Sequence, residues 1–492
     1  MNKKNFLFFI FIISEIHSYI VFDLELLPKE NYKSQYSPNS PKNIISKELI
    51  SAYFTEVEIG TPSQKISLLV KPKIADYVIT SIHQMDNPKR DYTNNRFVYN
   101  FTPNFMENHK FFNENSSISF QSGKCDERSP IDETEKPLAE LACNCKDTIL
   151  FYNNKDLTEK KIMKDFYLEL VRNAKDNITG TLGLNLNDMF NHVSILSLLK
   201  KYKLIDNYYW FFDFEKWDSN KGKLFLGAMP HDVYGDKFSK DDSDFTPGAG
   251  TESYTYYEVV FDEIYYMNSN GQKEIIGENE KTELNVESNV IIGKHTFRSY
   301  LNSSLNDLIK EQKCFYEPFE HYYEPKDFIY DYYFFYCRNE KEIKEKLNLI
   351  LPDIFFNLKN SNMSFELKKE QILKENGDFV YIYIIFSHQH NSWKLGKQIL
   401  LKYQFVFNPD IKNVYFYKNK KNEEDKKENN YLALKIIGSI VLGVLLVVLG
   451  VFIGKKIYGM RKKRANELKD DEYQYIPEDK KDNALTKDNE NN

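Results

Sequence analysis

The sequence has almost no excess of charge of either sign. Its 66 Lys and Arg residues stand against 72 Asp and Glu, a net of −6 over 492 residues, and the basic residues are scattered rather than gathered in a stripe. That leaves no electrostatic case for nucleic acid, which is bound through clustered cations. Cysteine is sparse as well, with Cys125, Cys143, Cys145, Cys314 and Cys337 the only five. None of them forms a Cys-x-x-Cys pair with matching histidines, so the residues call for no metal and no cofactor. Tandem repeats of fixed period are missing too. A composition of 41% hydrophobic and 15% aromatic residues excludes a disordered chain, and the length allows two or three domains with cores of their own.

What the sequence does have is concentrated first at its ends. Lys3 and Lys4 precede the apolar run FLFFIFII (Phe6 to Ile13) and a polar exit, Ser14 to Ser18. A positive start, a short apolar stretch and small residues predict a secretory signal peptide over 1–18, cut near Ser18. Near the other end, IIGSIVLGVLLVVLGVFIG (Ile436 to Gly454) carries no charge and has the length to cross a hydrocarbon core of roughly 30 Å. Lys455, Lys456, Arg461, Lys462, Lys463 and Arg464 follow it, whereas the stalk before it mixes both signs. The positive-inside rule then puts residues 455–492 in the cytosol. The expectation is a single-pass type I membrane protein with its globular part outside the cell or in the lumen of the secretory or endolysosomal system.

That topology places every cysteine where disulfides persist. The odd number leaves at least one as a thiol or in a bond between chains. It also puts five Asn-x-Ser/Thr sequons, at Asn100, Asn115, Asn177, Asn302 and Asn362, on the side where they can be glycosylated. In the tail, Tyr473-Gln-Tyr-Ile476 has the Tyr-x-x-bulky form that endocytic adaptors read, within an otherwise polar, disordered-looking segment.

Between the ends, strand-like runs alternate with short helical patterns, which predicts a mainly β fold. Tyr53 to Val70 reads as two strands joined at Gly60-Thr61-Pro62, a hairpin. His192 to Ile205 has apolar residues at helical spacing and is the clearest helix. A short element ending in Leu-Gly recurs, as Thr181-Leu182-Gly183 and Lys394-Leu395-Gly396, so the region divides into similar halves that meet near GKLFLG, Gly222 to Gly227.

Taken in order, YFTEVEIGTPSQK (Tyr53 to Lys65), GTLGLN (Gly180 to Asn185), GKLFLGAMPHDVY (Gly222 to Tyr234), Cys314 and Cys337 ahead of LPDIFFNL (Leu351 to Leu358), and WKLGKQILLKYQFVF (Trp393 to Phe407) resemble the pepsin-like aspartic peptidases over residues 48–418. The resemblance implies two β-rich lobes with a cleft between them, at 48–228 and 229–418. It also implies a short prosegment-like region at 19–47 and a Cys314–Cys337 disulfide. Activity in that family needs one aspartate per lobe, each in a tight Asp-Thr-Gly turn, the two sharing a proton and holding a water.

Laid on that pattern, the first turn falls on Lys71-Pro72-Lys73 and the second on Asn285-Val286-Glu287. An ammonium accepts no hydrogen bond and a carboxamide does not titrate, so Lys71 and Asn285 supply no general base. The segment ISFQSGKC (Ile118 to Cys125) resembles the first strand of the family's flap, with Phe120 where tyrosine is usual and Gly123 following it. An acidic insertion then closes a loop through Cys125 and either Cys143 or Cys145. The reading is an uncatalytic pepsin-like domain that binds a peptide or protein ligand in its cleft. An active endopeptidase with a non-standard dyad, and a trafficking or adhesion receptor, are the two alternatives.

Overall fold

The computed structural model describes residues 18–26, 36–49 except 38, 53–73, 77–80, 111–126, 142–171 except 155, 180–186, 194–214, 221–235, 238, 245–251, 257–323, 328–418 except 362 and 390, and 449–464 except 452. The chain falls into two units, Met1–Lys420 and Lys421–Asn492. Strands make up 47% of the described residues, so the fold is mainly β as the patterning predicts.

The first unit is built on two sheets. Strands β1 (Ile20–Leu26), β2 (Tyr53–Ile59), β3 (Gln64–Lys71), β4 (Tyr77–Thr80), β5 (Cys125–Asp126), β6 (Ala142–Tyr152), β7 (Lys160–Val171), β8 (Gly180–Gly183), β9 (Trp210–Phe214), β10 (Lys221–Leu226) and β11 (Phe245–Gly250) lie in the first sheet. The second holds β12 (Glu258–Met267), β13 (Lys273–Leu284), β14 (Ile291–Gly293), β15 (Cys314–Tyr323), β16 (Phe328–Arg338), β17 (Ile354–Leu358), β18 (Ser364–Leu367), β19 (Leu373–Asn376), β20 (Phe379–Ile382), β21 (Ile384–Ser387) and β22 (Lys394–Leu395). The last two strands, β23 (Tyr403–Asn408) and β24 (Asn413–Lys418), return to the first sheet, where β24 also pairs β11. Sequence halves and sheets therefore do not coincide: three strands beyond the expected boundary near Gly227 complete the first sheet.

The hairpin expected at Gly60-Thr61-Pro62 is there, with Tyr53 opposite Val70 and Ile59 opposite Gln64. Gly60 has φ +91°, a conformation that side chains with a Cβ rarely adopt. The helix read from His192 to Ile205 is shorter, Ile195–Lys201, with Leu196 and Leu199 buried. Each sheet buries one tryptophan: Trp210 stacks on Phe407 at 4.2 Å, and Trp393 meets Phe356 edge-on at 5.4 Å. Residues 20–26, expected within a prosegment-like region, are an interior strand lying between β10 and β2.

In the second unit, residues 449–451 and 453–464 are helical. No helix among the described residues is long and apolar enough to cross a membrane, and most of the span expected at 436–454 lies outside the described residues. The segment expected as a signal peptide lies outside them up to residue 17.

Candidate functional site

Two turns carry the positions where the resemblance places a catalytic pair, and each is fixed by a parallel neighbour. The run Ile66 to Val70 is apolar except for Ser67, and all five residues are buried because β3 is covered on both faces, paired with β2 on one side and with β8, in parallel, on the other. Lys71 lies opposite Gly183, and its carbonyl accepts the Leu184 N–H at 3.0 Å. Pro72 is buried beyond it, and the Lys73 carbonyl accepts the Asn185 Nδ2–H at 3.1 Å. The lysine-flanked proline thus closes the strand onto the residues that follow β8.

The second turn repeats this plan with other bonds. Strand β13 ends parallel to β22, with Glu283 opposite Lys394 and Leu284 opposite Leu395, and the Asn285 N–H donates to Leu395 O at 2.8 Å. Asn285 Oδ1 accepts the Glu287 N–H at 3.2 Å, an Asx turn that occupies the carboxamide oxygen locally. Ser288 Oγ donates to Val290 O at 2.9 Å, and its carbonyl accepts the Lys397 N–H at 2.8 Å. Gly396 passes so close that a Cβ there would lie 2.5 Å from Val290 O and 2.7 Å from Ser288 O.

The charge that crosses between the turns is displaced by two residues from the expected pair. Glu283, 4% exposed and two positions before Asn285, accepts from Lys73 Nζ at 2.5 Å through Oε1 and from Lys394 Nζ at 2.8 Å through Oε2. Burial pushes its carboxyl up, but the ammonium groups of Lys73 and Lys394 outweigh that and hold it down at about 2. Glu283 is therefore ionised at any pH near neutrality, with both oxygens already engaged. A second contact runs the same way: the buried Lys397 ammonium sits 4.6 Å from the Phe214 ring centre and 5.7 Å from that of Tyr53, both in the first sheet. Glu283 was visible in the sequence only as a charged neighbour of Asn285; its partner Lys73 lies 210 residues away, and no local pattern links them.

The segment expected as a flap strand is mostly irregular. Only Gln121 bridges Lys146, and β5 has two residues. The cause is local: the Thr61 N–H donates to Ser117 Oγ at 3.0 Å and Ser119 Oγ donates to Thr61 Oγ1 at 2.8 Å, which ties the segment to the β2–β3 turn. Phe120 consequently packs on Phe112, ring centres 5.9 Å apart, against the core. Gly123 lies directly beneath Asn144, whose carbonyl oxygen a Cβ would strike at 1.7 Å.

Cys314 and Cys337 face each other across β15 and β16 and form a disulfide. Cys143 is disulfide-bonded and has Cys125 as its register partner across β5 and β6, whereas Cys145 is a buried thiol. Among the sequons, Asn115 and Asn302 are exposed, and Asn100, Asn177 and Asn362 lie outside the described residues, as do Tyr473 and Ile476. Among the described residues no group of His, Cys, Asp and Glu comes together in a way that could hold a metal ion.

Compared with known families, residues 52–418 match the model described as eukaryotic aspartyl protease. No curated protein sequence matches the chain.

Proposed function

The chain belongs to the eukaryotic aspartyl protease family, and from that premise we propose that its inter-lobe cleft binds an extended peptide or protein segment without hydrolysing it. The observation that carries the reading is the engagement of Glu283. A general base must have an oxygen free to take a proton from water. Glu283 has Oε1 held by Lys73 and Oε2 held by Lys394, so neither is offered to a water. At the two turn positions themselves stand a side chain that only donates, Lys71, and one that does not titrate, Asn285. The scaffold that would present a ligand is kept: both turns, both parallel partners and the tryptophan beneath each sheet. Strand addition along such a cleft gives affinity through the ligand's backbone, with side-chain pockets adding selectivity.

In the same reading the domain is displayed by a single-pass type I membrane glycoprotein, anchored by 436–454 after removal of 1–18, with Tyr473 and Ile476 available to a sorting adaptor. The apolar run Ile436 to Gly454 and the basic cluster after it support that placement. The test of binding is retention of a fluorescently labelled denatured protein by the purified chain at acidic pH, followed by gel analysis of what elutes. Recovery of intact label supports the proposal. Failure to retain it, or recovery of fragments that a transition-state-mimic inhibitor suppresses, overturns it.

A further inference from the structure

The N-terminal segment is woven through both sheets before the first hairpin begins. Strand β1 pairs β10 over six residues, from Ile20 opposite Leu226 to Glu25 opposite Lys221, and pairs β2 at Glu25 and Leu26. Ile20, Phe22, Leu24 and Leu26 enter the main core, while Val21 enters a separate cluster with Phe211 and Phe225. The strand is thus buried along one face, with Val21 buried and Asp23 and Glu25 exposed on the other, and it is bonded along both edges.

The chain then leaves the first sheet for the second. Helix α1 (Pro41–Glu48) starts at Ser40, whose Oγ accepts the Asn43 N–H at 3.2 Å, with Pro41 at the first helical position. Ile45 and Leu49 are buried against Val290, Ile292 and Tyr383. Upstream, the Tyr36 hydroxyl donates to Glu320 O at 3.1 Å and accepts from Glu320 N–H at 2.8 Å, so the approach to the helix is pinned to β15. By Tyr53 the chain is back in the first sheet.

At the end of α1 is a buried carboxylate with a specific set of partners. Glu48, 2% exposed, accepts from the Tyr383 hydroxyl at 2.8 Å and from Asn289 Nδ2 at 3.0 Å, and its carbonyl accepts the Asn289 N–H at 2.9 Å. Lys374 Nζ lies 3.9 Å from it. A carboxylate is buried at a cost of several kcal/mol unless such donors are in place. Here two of the bonds fall on Asn289, which closes the Asn285 turn, so the turn in the second lobe is shaped from outside by the chain's own N-terminal segment.

We propose that β1 and α1 together tie the two sheets permanently and are retained in the mature protein, and that Glu48 is the positioning residue for the turn from Asn285 to Val290. Removal of the segment would leave one edge of β10 unpaired, open the Val21 cluster and strip the turn of the helix that holds it. The inference does not depend on whether the cleft cuts its ligand.

The test uses the full chain with a C-terminal tag, purified from membranes. Peptide mapping should recover peptides spanning 20–26 and 41–48 in the same amount as peptides from β2; a mature chain that starts beyond Glu48 overturns the tie. Hydrogen exchange read by mass spectrometry then tests the positioning role. Glu48→Ala should speed exchange at Val286 to Ile292 by roughly tenfold or more while leaving β1 and β10 unchanged. Glu48→Gln, which keeps the shape and one acceptor, should restore most of the protection. Should the alanine variant fail to fold, the glutamine variant decides alone: exchange at the turn about two- to threefold faster than in the wild type and confined to it supports the role, whereas exchange there indistinguishable from the wild type overturns it.

Discussion

The first turn, Lys71 to Lys73, and the second, Asn285 to Val290, hold equivalent places in two sheets yet are held by different means. The first leans on main-chain carbonyls: Lys71 O takes Leu184 N–H, Lys73 O takes Asn185, and an ion pair to Glu283 completes it. The second is held by side chains, through Asn285, Ser288, Gln398 and Glu48, with Gly396 admitted at close range. What the two share is the parallel neighbour strand that stops each turn at a fixed point. The lesson is that the neighbour strand fixes where each turn stands, while the bonds that hold it there differ from one turn to the other.

The sharpest way to break this comparison is to remove the one group both turns share. Glu283→Ala leaves Lys73 and Lys394 facing a buried position with no carboxylate, and should cost on the order of 3–5 kcal/mol, read as a shift of the denaturant midpoint. A fall of less than ~1 kcal/mol would mean that the pair is effectively solvent-screened. Acid titration asks the same of the intact protein. The folded carboxyl is held at about 2, below its usual 4.5, so its contribution is complete above about pH 4.5 and is lost as pH falls toward about 2. That amounts to about 3 kcal/mol across the window, and the Glu283→Gln variant should lack this part of the acid slope.

Smaller perturbations separate the second turn from the first. Gly396→Ala forces a Cβ against two carbonyl oxygens and should destabilise by about 1–3 kcal/mol, whereas the same change at Gly293 meets only the side chains of Ile384 and Phe386 and should cost less. Equal losses would remove the special status given to Gly396. Asn285→Ala gives up the Asx bond to Glu287 and should cost about 1 kcal/mol, with exchange of the Glu287 amide as the local readout.

How much of this was legible in the sequence follows from the range of each signal. The β2–β3 hairpin and the two Leu-Gly elements could be read because turn residues and strand alternation are local. That Phe245–Gly250 and Tyr403–Lys418 complete the first sheet could not, since strand partners far apart in sequence leave no mark on either strand alone. In residues 20–26 only Asp23 and Glu25 are exposed, yet their short, partly charged run did not announce an interior strand. At the site, Lys71 and Asn285 are placed by the resemblance alone, and the pairing of Lys73 with Glu283 exists only once the sheets are brought together. Phe120 misled because its resemblance to a flap residue says nothing of Ser117 and Ser119, whose hydroxyls bind Thr61 and turn it inward.

The central claim is that the cleft keeps its shape without a working dyad. Its most direct test is mass-spectrometric analysis of a peptide mixture incubated with the purified chain at acidic pH, with and without a transition-state-mimic inhibitor of aspartic peptidases. The account predicts that every peptide is recovered intact in both samples. Cleavage products that appear only when the inhibitor is absent would contradict it.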